Sequence, residues 1–158
     1  MAGIDRVEDL VTWQRVHELN HEVWKATTSG PVARDFRFRD EIRDAADSAE
    51  RNVAEGFGRY GPVQFAHFLD ISRASLHETK GLLRKGLLAQ YWDRNEFERL
   101  DKLADRGLQA VARFQRYLRS PRARRNAERS RYRQSNDPND PNDPNDPNDP
   151  NDPNARSI

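Results

Sequence analysis

Apolar side chains return every three or four positions through four consecutive stretches of this chain, and no stretch alternates at the two-residue period of a strand. A 3.6-residue repeat gathers such side chains on one face of a helix, and that face has to be covered by another element. Glycine and proline break the pattern at Gly30-Pro31, between Gly56 and Pro62, and at Pro121. The first stretch, residues 6 to 28, aligns Leu10, Trp13, Val16, Asn20, Val23 and Trp24, and Asp5 with Glu8 has capping-box spacing. The second, 38 to 56, aligns Phe38, Ile42, Ala45, Ala46, Ala49 and Val53, and so much alanine implies close helix approach. The third, 62 to 91, opens with a proline tolerated in the first turn. It aligns Phe65, Phe68, Leu69, Ser72, Leu76, Thr79, Leu83 and Leu87, with a shoulder at Ile71, Ala74 and Leu82. The fourth, 94 to 120, follows Asp93 and Glu96 in capping-box spacing and aligns Phe97, Leu100, Leu103, Ala104, Leu108, Val111, Phe114 and Leu118.

Short connections make sequence neighbours antiparallel neighbours, so the predicted fold is all-α: an antiparallel up-down-up-down four-helix bundle over residues 1–120. An arginine-rich extension follows at 121–135. Residues 136–158, dominated by six copies of Asn-Asp-Pro, form the third region. A triplet of two polar residues and a proline buries nothing apolar, which predicts a disordered tail, and without glycine and a terminal glutamate it does not match a calcium loop. The apolar arcs of the third and fourth helices are wider than one core requires, which points to a self-association surface and a homo-oligomer, the competing reading being that the extra residues only thicken the core.

Without cysteine the chain has neither disulfides nor thiolate metal sites. No stretch approaches the roughly 18 apolar residues of a membrane span, and the first residues lack the apolar run of a signal peptide, so the expected location is cytoplasmic. The formal net charge of +1 conceals a strong asymmetry. Residues 1 to 112 carry 17 Lys/Arg and 19 Asp/Glu, whereas 113 to 133 carry nine arginines and only Glu128. Six aspartates follow in the repeat.

Two patterns resemble catalytic motifs. His17-Glu18-Leu19-Asn20-His21 has the spacing with which two histidines on adjacent helical turns hold zinc. That chemistry also needs a third protein ligand and a substrate cleft edged by a strand, and the sequence offers no strand. His67 and His77 are ten residues apart, so at most one could join. The preferred reading is a partly buried, hydrogen-bonded His17, with a zinc-dependent hydrolase as the alternative. Nor does Glu18 with His21 find a second Glu-x-x-His for a ferritin-type centre. Gly-Phe-Gly-Arg-Tyr-Gly at 56 to 61 imitates a dinucleotide fingerprint but follows a helix instead of a strand. Here Gly56 or Gly58 can end the second helix in a left-handed conformation, with anion binding beside Arg59 as the residual alternative. No nucleophile, base and orienting group can be assembled, so the expectation is a protein that is not an enzyme and uses no metal or cofactor.

Arg113, Arg116, Arg119 and Arg122 recur every third position, and Arg124, Arg125, Arg129, Arg131 and Arg133 follow. Guanidinium forks pair with phosphate, so the cluster reads as a footprint for RNA or DNA. The competing readings are a solvated tail and a segment neutralised by the aspartates of the repeat.

The second and third stretches carry a resemblance. Phe36, Phe38, Asp40, Ile42, Arg43, Ala45, Ala46 and Ser48 lead into Asn52-Val53-Ala54-Glu55-Gly56-Phe57-Gly58-Arg59. Phe65, Phe68, Leu69, Ile71, Ser75, Leu76 and Glu78 follow, with Leu10 and Trp13 earlier. In these residues the chain resembles the four helix bundle proteins encoded by intervening sequences of large-subunit ribosomal RNA genes, over about residues 8 to 119. The resemblance implies a bundle that assembles into a ring, commonly a pentamer, and no established activity. A similar fold serves diversity-generating retroelements as an accessory protein that engages reverse transcriptase and RNA. By the same resemblance Asn52, Glu55, Gly56 and Gly58 form the family's turn motif. Glu50 stands where the family usually has proline, Gln64 where it has glutamate, and Asp47 where an apolar residue is common. The retroelement relatives are strongly basic while this body is not, so nucleic-acid contact would fall to Arg59 and the extension.

Overall fold

The computed structural model describes residues 6–59 and 61–135, the side chains of 130–135 excepted. The tail expected to be disordered lies outside the described residues. Within them the chain is all helical: a 3-10 turn Val7–Asp9, α1 Val11–Ala26, a second 3-10 turn Pro31–Arg34, α2 Phe36–Phe57, α3 Pro62–Leu88, α4 Arg94–Leu118 and α5 Pro121–Ser135. α1 packs on α2 and α4, α3 packs on α2 and α4, and α5 rests against the ends of α3 and α4.

The first helix starts later than its sequence spacing suggested. Leu10 is extended and buried, and its N–H bonds to Val7 O, so the chain turns once before the helix begins. The expected Asp5–Glu8 capping box therefore does not open α1: Asp5 lies outside the described residues, and Glu8 belongs to the 3-10 turn. The inward face of α1 is Thr12, Val16, Leu19 and Val23, and Trp24 is 43% exposed. Leu10, Val16 and Val23 are buried as expected, whereas Trp13 and Asn20 are half-buried at the edge of that face and Leu19, absent from the expected face, is fully buried.

α2 presents the expected face: Phe38, Ile42, Ala45, Ala46, Ala49 and Val53 are all buried. Asp35 caps it, accepting from Phe38 N at 3.1 Å. The small side chains bring α3 close enough for Ser72 Oγ to donate to the Ala49 carbonyl at 2.8 Å and for Ser48 and Ser75 hydroxyls to meet at 2.9 Å. Gly56 serves the same closeness, because a Cβ there would stand 2.8 Å from Phe65 Cε2 and 2.9 Å from Phe68 Cβ. Gly56 lies within α2 and Gly58 is right-handed at φ −73°, so neither takes the left-handed conformation expected of it. The positive φ of this connection falls instead on Gly61, at φ 113° and ψ 150°, just before Pro62 opens α3.

α3 ends at Leu88, with Gln90 left-handed at φ 58°. Tyr91 N bonds to Gly86 O at 2.9 Å and Gln90 N to Leu87 O at 3.1 Å, the paired closure of a Schellman turn. Asp93 then accepts from Glu96 N at 2.8 Å and starts α4 as its spacing suggested. Trp92 locks the turn: its indole N–H donates to Leu83 O at 2.9 Å and its ring lies on Gly86. Phe97, Leu108 and Phe114 of the broad α4 arc pack against the core, so of these two helices it is α3 that retains surplus apolar surface. There Val63, Ile71, Ala74 and Leu88 are exposed while Leu82, expected on the same shoulder, is buried.

α1 and α4 are tied by Arg99, which bonds both Glu22 and Glu96 and holds both carboxyls below their ordinary range chiefly through those hydrogen bonds. Carboxyls depressed by folding add stability that is present above the unfolded pKa of about 4.3 and is lost as pH falls through the folded value. Glu22→Gln is expected to give a shallower loss of stability between pH 5 and pH 3 than the parent chain, measured as urea midpoints. An identical slope would deny Glu22 this role.

Candidate nucleic-acid interface

Residues 121–135, read from the sequence as an extension after a helix-breaking proline, form a helix. Pro121 occupies the first turn, where a missing N–H costs nothing, and Ser120 Oγ accepts from Ala123 N at 3.3 Å as its cap. Ala123 is buried and Ala127 half-buried four residues later, and this narrow face holds α5 to the body. With so little apolar area, periodicity could not reveal it. The second signal was available in Ser120 followed by Pro121.

The arginines separate into two groups. Arg119 is anchored: its guanidinium meets Asp70 Oδ2 at 2.7 Å, and Asp70 also accepts from buried Gln115 at 2.7 Å. Arg59 is anchored too, paired with Glu55 and set 5.2 Å over the Phe68 ring. Arg113, Arg116, Arg122, Arg124, Arg125 and Arg129 are exposed, and no ion pair joins them to another described residue. Arg122, Arg125 and Arg129, spaced three and four apart, share one face of α5. Arg131 and Arg133 continue the helix, but their side chains lie outside the described ones. Phe65 joins Gly56 at the end of α2 to Phe114 near the end of α4, at 5.0 Å between rings, so Arg59 and the base of α5 occupy the same end of the molecule.

The turn-motif residues act within the scaffold. Asn52 donates to Ser48 O at 2.7 Å, one turn back in α2, rather than reaching into the α2–α3 turn, and Ser48 passes the link to Ser75 of α3. Glu55 holds Arg59 on the surface. Gly56 lets Phe65 close on α2, and Gly58 caps the helix.

His17 is hydrogen-bonded as expected, with Nδ1 at 3.1 Å from Glu50 Oε1, but it is exposed instead of partly buried and lies flat on Trp13 at 4.5 Å. Glu18 pairs with Arg15 at 3.2 Å. Among the described residues no three His, Asp or Glu side chains converge on a point where a metal ion could sit. The sequence reading missed the seam around this histidine. Asn20 Nδ2 donates to both Asp47, at 2.8 Å, and Glu50, at 2.6 Å. Trp24 Nε1 also donates to Asp47, at 3.0 Å, and the Arg43 guanidinium lies 4.1 Å over the Trp24 ring. Asp47 and Glu50, which depart from the resemblance, thus both fasten α2 to α1.

A set of packed helices with its charged side chains on the outer surface is an all-α helical-bundle protein. The sequence profile of the 23S rRNA-intervening sequence protein family matches residues 8–112, and the chain belongs to that family. No curated protein matches it. The matched region stops one residue before Arg113, so the basic end of α4 and all of α5 lie beyond it. No described helix is long and apolar enough to cross a membrane.

Proposed function

We propose that this protein is a non-catalytic, self-assembling antiparallel four-helix bundle of the cytoplasm that serves as an interaction module, contacting RNA or an RNA-associated protein through its basic end. The up-down-up-down course is supported by pairings that run backwards: Asn20 with Asp47 and Thr27 with Arg43, Ser48 with Ser75 and Glu41 with Lys85, Lys80 with Asp101 and Gln115 with Ala66. The observation that carries the RNA reading is the placement of exposed arginines on the end of α4 and on α5, beginning where the family match ends. Phosphate contacts of this kind act as sequence-independent electrostatic binding.

Fluorescence anisotropy with a labelled RNA oligonucleotide tests it. The log affinity of the full chain should fall with log salt by about 0.7 to 0.9 per phosphate contacted. Truncation after Ser120 should abolish binding. Salt-insensitive binding, or binding that survives the truncation, removes the reading. A scaffold role without nucleic acid is favoured separately by the exposed α3 stripe, where Leu88 is 85% exposed and Gly81 has open space above it. A monomer mass by light scattering at micromolar concentration would exclude the ring.

A further inference from the structure

We propose that His17 and His21 form an open two-imidazole site for a borderline divalent transition-metal ion such as zinc or nickel, with Glu50 of α2 as the residue that positions His17. The site stands apart from the contact with RNA and from self-assembly, and it is not a hydrolytic centre.

The histidine pair seen in the sequence survives folding, while the glutamate between its members is diverted. Glu18 pairs with Arg15 at 3.2 Å and so does not stand ready to activate a water. The two histidines lie one helical turn apart on the outer surface of α1, both exposed, with ring centres 6.4 Å apart and planes tilted by 33°. A ring nitrogen lies about 1.2 Å from its ring centre and about 2.0 Å from a bound zinc, so two imidazoles sharing one ion have centres about 5.2 Å apart at a tetrahedral angle and about 6.4 Å apart at the limit. The observed separation falls at that limit. A rotation that carries the exposed His21 ring about 1 Å closer brings both nitrogens within reach of one ion.

His17 is oriented for this task. A carboxylate only accepts, so the 3.1 Å contact is a hydrogen bond from His17 Nδ1–H to Glu50 Oε1, and the lone pair of the neutral ring sits on Nε2. Glu50 is itself fixed, because Asn20 Nδ2 donates to its other oxygen at 2.6 Å and to Asp47 at 2.8 Å. The Trp13 ring lies against the imidazole at 4.5 Å and within 10° of parallel, which sets the plane of the ligand. A carboxylate on the far nitrogen is the arrangement that orients metal-bound imidazoles and raises their basicity.

Two neutral imidazoles also select the ion. They suit zinc, nickel and copper, whereas magnesium and calcium require oxygen donors. Among the described residues no third His, Asp or Glu converges with the pair, so water completes the coordination and the ion exchanges readily.

Isothermal titration of the full-length, tag-free protein with zinc chloride should show one ion held by this pair, and copper should bind more tightly than zinc. The chain has no cysteine, so no thiolate competes. His21→Gln leaves the α1–α2 seam intact and should weaken binding by at least about tenfold, because the chelate is lost. Glu50→Gln should weaken it about 10- to 100-fold with the helical circular dichroism retained, and Glu18→Gln should leave it unchanged. In nuclear magnetic resonance the ring signals of His17 and His21 should shift with zinc while those of His67 and His77 stay in place, a reading that needs no variant. Equal affinity in the His21→Gln chain would put the ion on carboxylates elsewhere and overturn the proposal, as would no binding up to about 1 mM zinc. Equal shifts at all four histidines would overturn it too. A loss in Glu18→Gln as large as that in His17→Gln would replace it with a site built on the glutamate, and unchanged affinity in Glu50→Gln would remove Glu50 from its positioning role.

Discussion

Gly86→Ala should destabilise the fold by about 1 to 3 kcal/mol, although alanine is the better helix former by about 1 kcal/mol. Gly86 is buried in the last turns of α3, and a methyl group there would stand 2.6 Å from Cε2 and Cη2 of Trp92. Trp92 cannot swing clear without losing the bond from its indole N–H to Leu83 O and its packing at 5.9 Å from Phe38. Gly81, one turn and a half earlier in the same helix, has nothing within 4 Å of the point where a methyl group would stand. Gly81→Ala should therefore stabilise by about 0.5 to 1 kcal/mol, so one substitution takes opposite signs at two positions of α3. Urea unfolding followed by helical circular dichroism measures both. Stabilisation at Gly86 would mean that Trp92 does not rest there.

Leu76→Ala should cost about 2 to 5 kcal/mol, and Leu88→Ala in the same helix less than about 0.5 kcal/mol. Leu76 is wholly buried where α3 meets α4, with its methyl groups 3.5 and 3.6 Å from the Cβ position of Gly107, while Leu88 projects into solvent. The neighbours of Leu76 are fixed by helix contacts on several sides, so a deletion leaves a void that collapses poorly. For a domain whose total stability lies near 5 to 15 kcal/mol, such a loss takes a large share. Unfolding at constant denaturant slope checks the ratio between the two positions. Equal losses would place Leu88 in a buried contact and so bear on assembly in solution.

The helices with a pure apolar repeat were legible in the sequence, and the parts fastened by polar atoms were not. α2 was read correctly residue by residue because its inward positions are all apolar. α1 was legible only in part, at Val16 and Val23, because Thr12 contributes to its buried face and because Asn20 and Trp24 are turned toward carboxylates of α2. Partners 23 to 33 positions apart, such as Trp24 with Asp47 and His17 with Glu50, leave no local spacing to detect. α5 was missed because two alanines and a serine cap are a faint signal among arginines. At the candidate site the charge itself was plain. Its division into anchored and outward-facing members was half visible: Glu55 stands four positions before Arg59, whereas the approach of Asp70 to Arg119, 49 positions away, is set by the packing of α3 on α4.

The seam between α1 and α2 differs in kind from that between α2 and α3. Asn20, Trp24 and His17 meet α2 through carboxylates near solvent, whereas Ala49 and Ser72 bring α2 and α3 nearly backbone to backbone. Water can replace the first set of bonds at small cost and cannot enter the second without separating two rods that touch along their length. Partial opening of the molecule should therefore begin with release of its leading rod, and the pair behind it should hold the slowest amides to exchange with solvent.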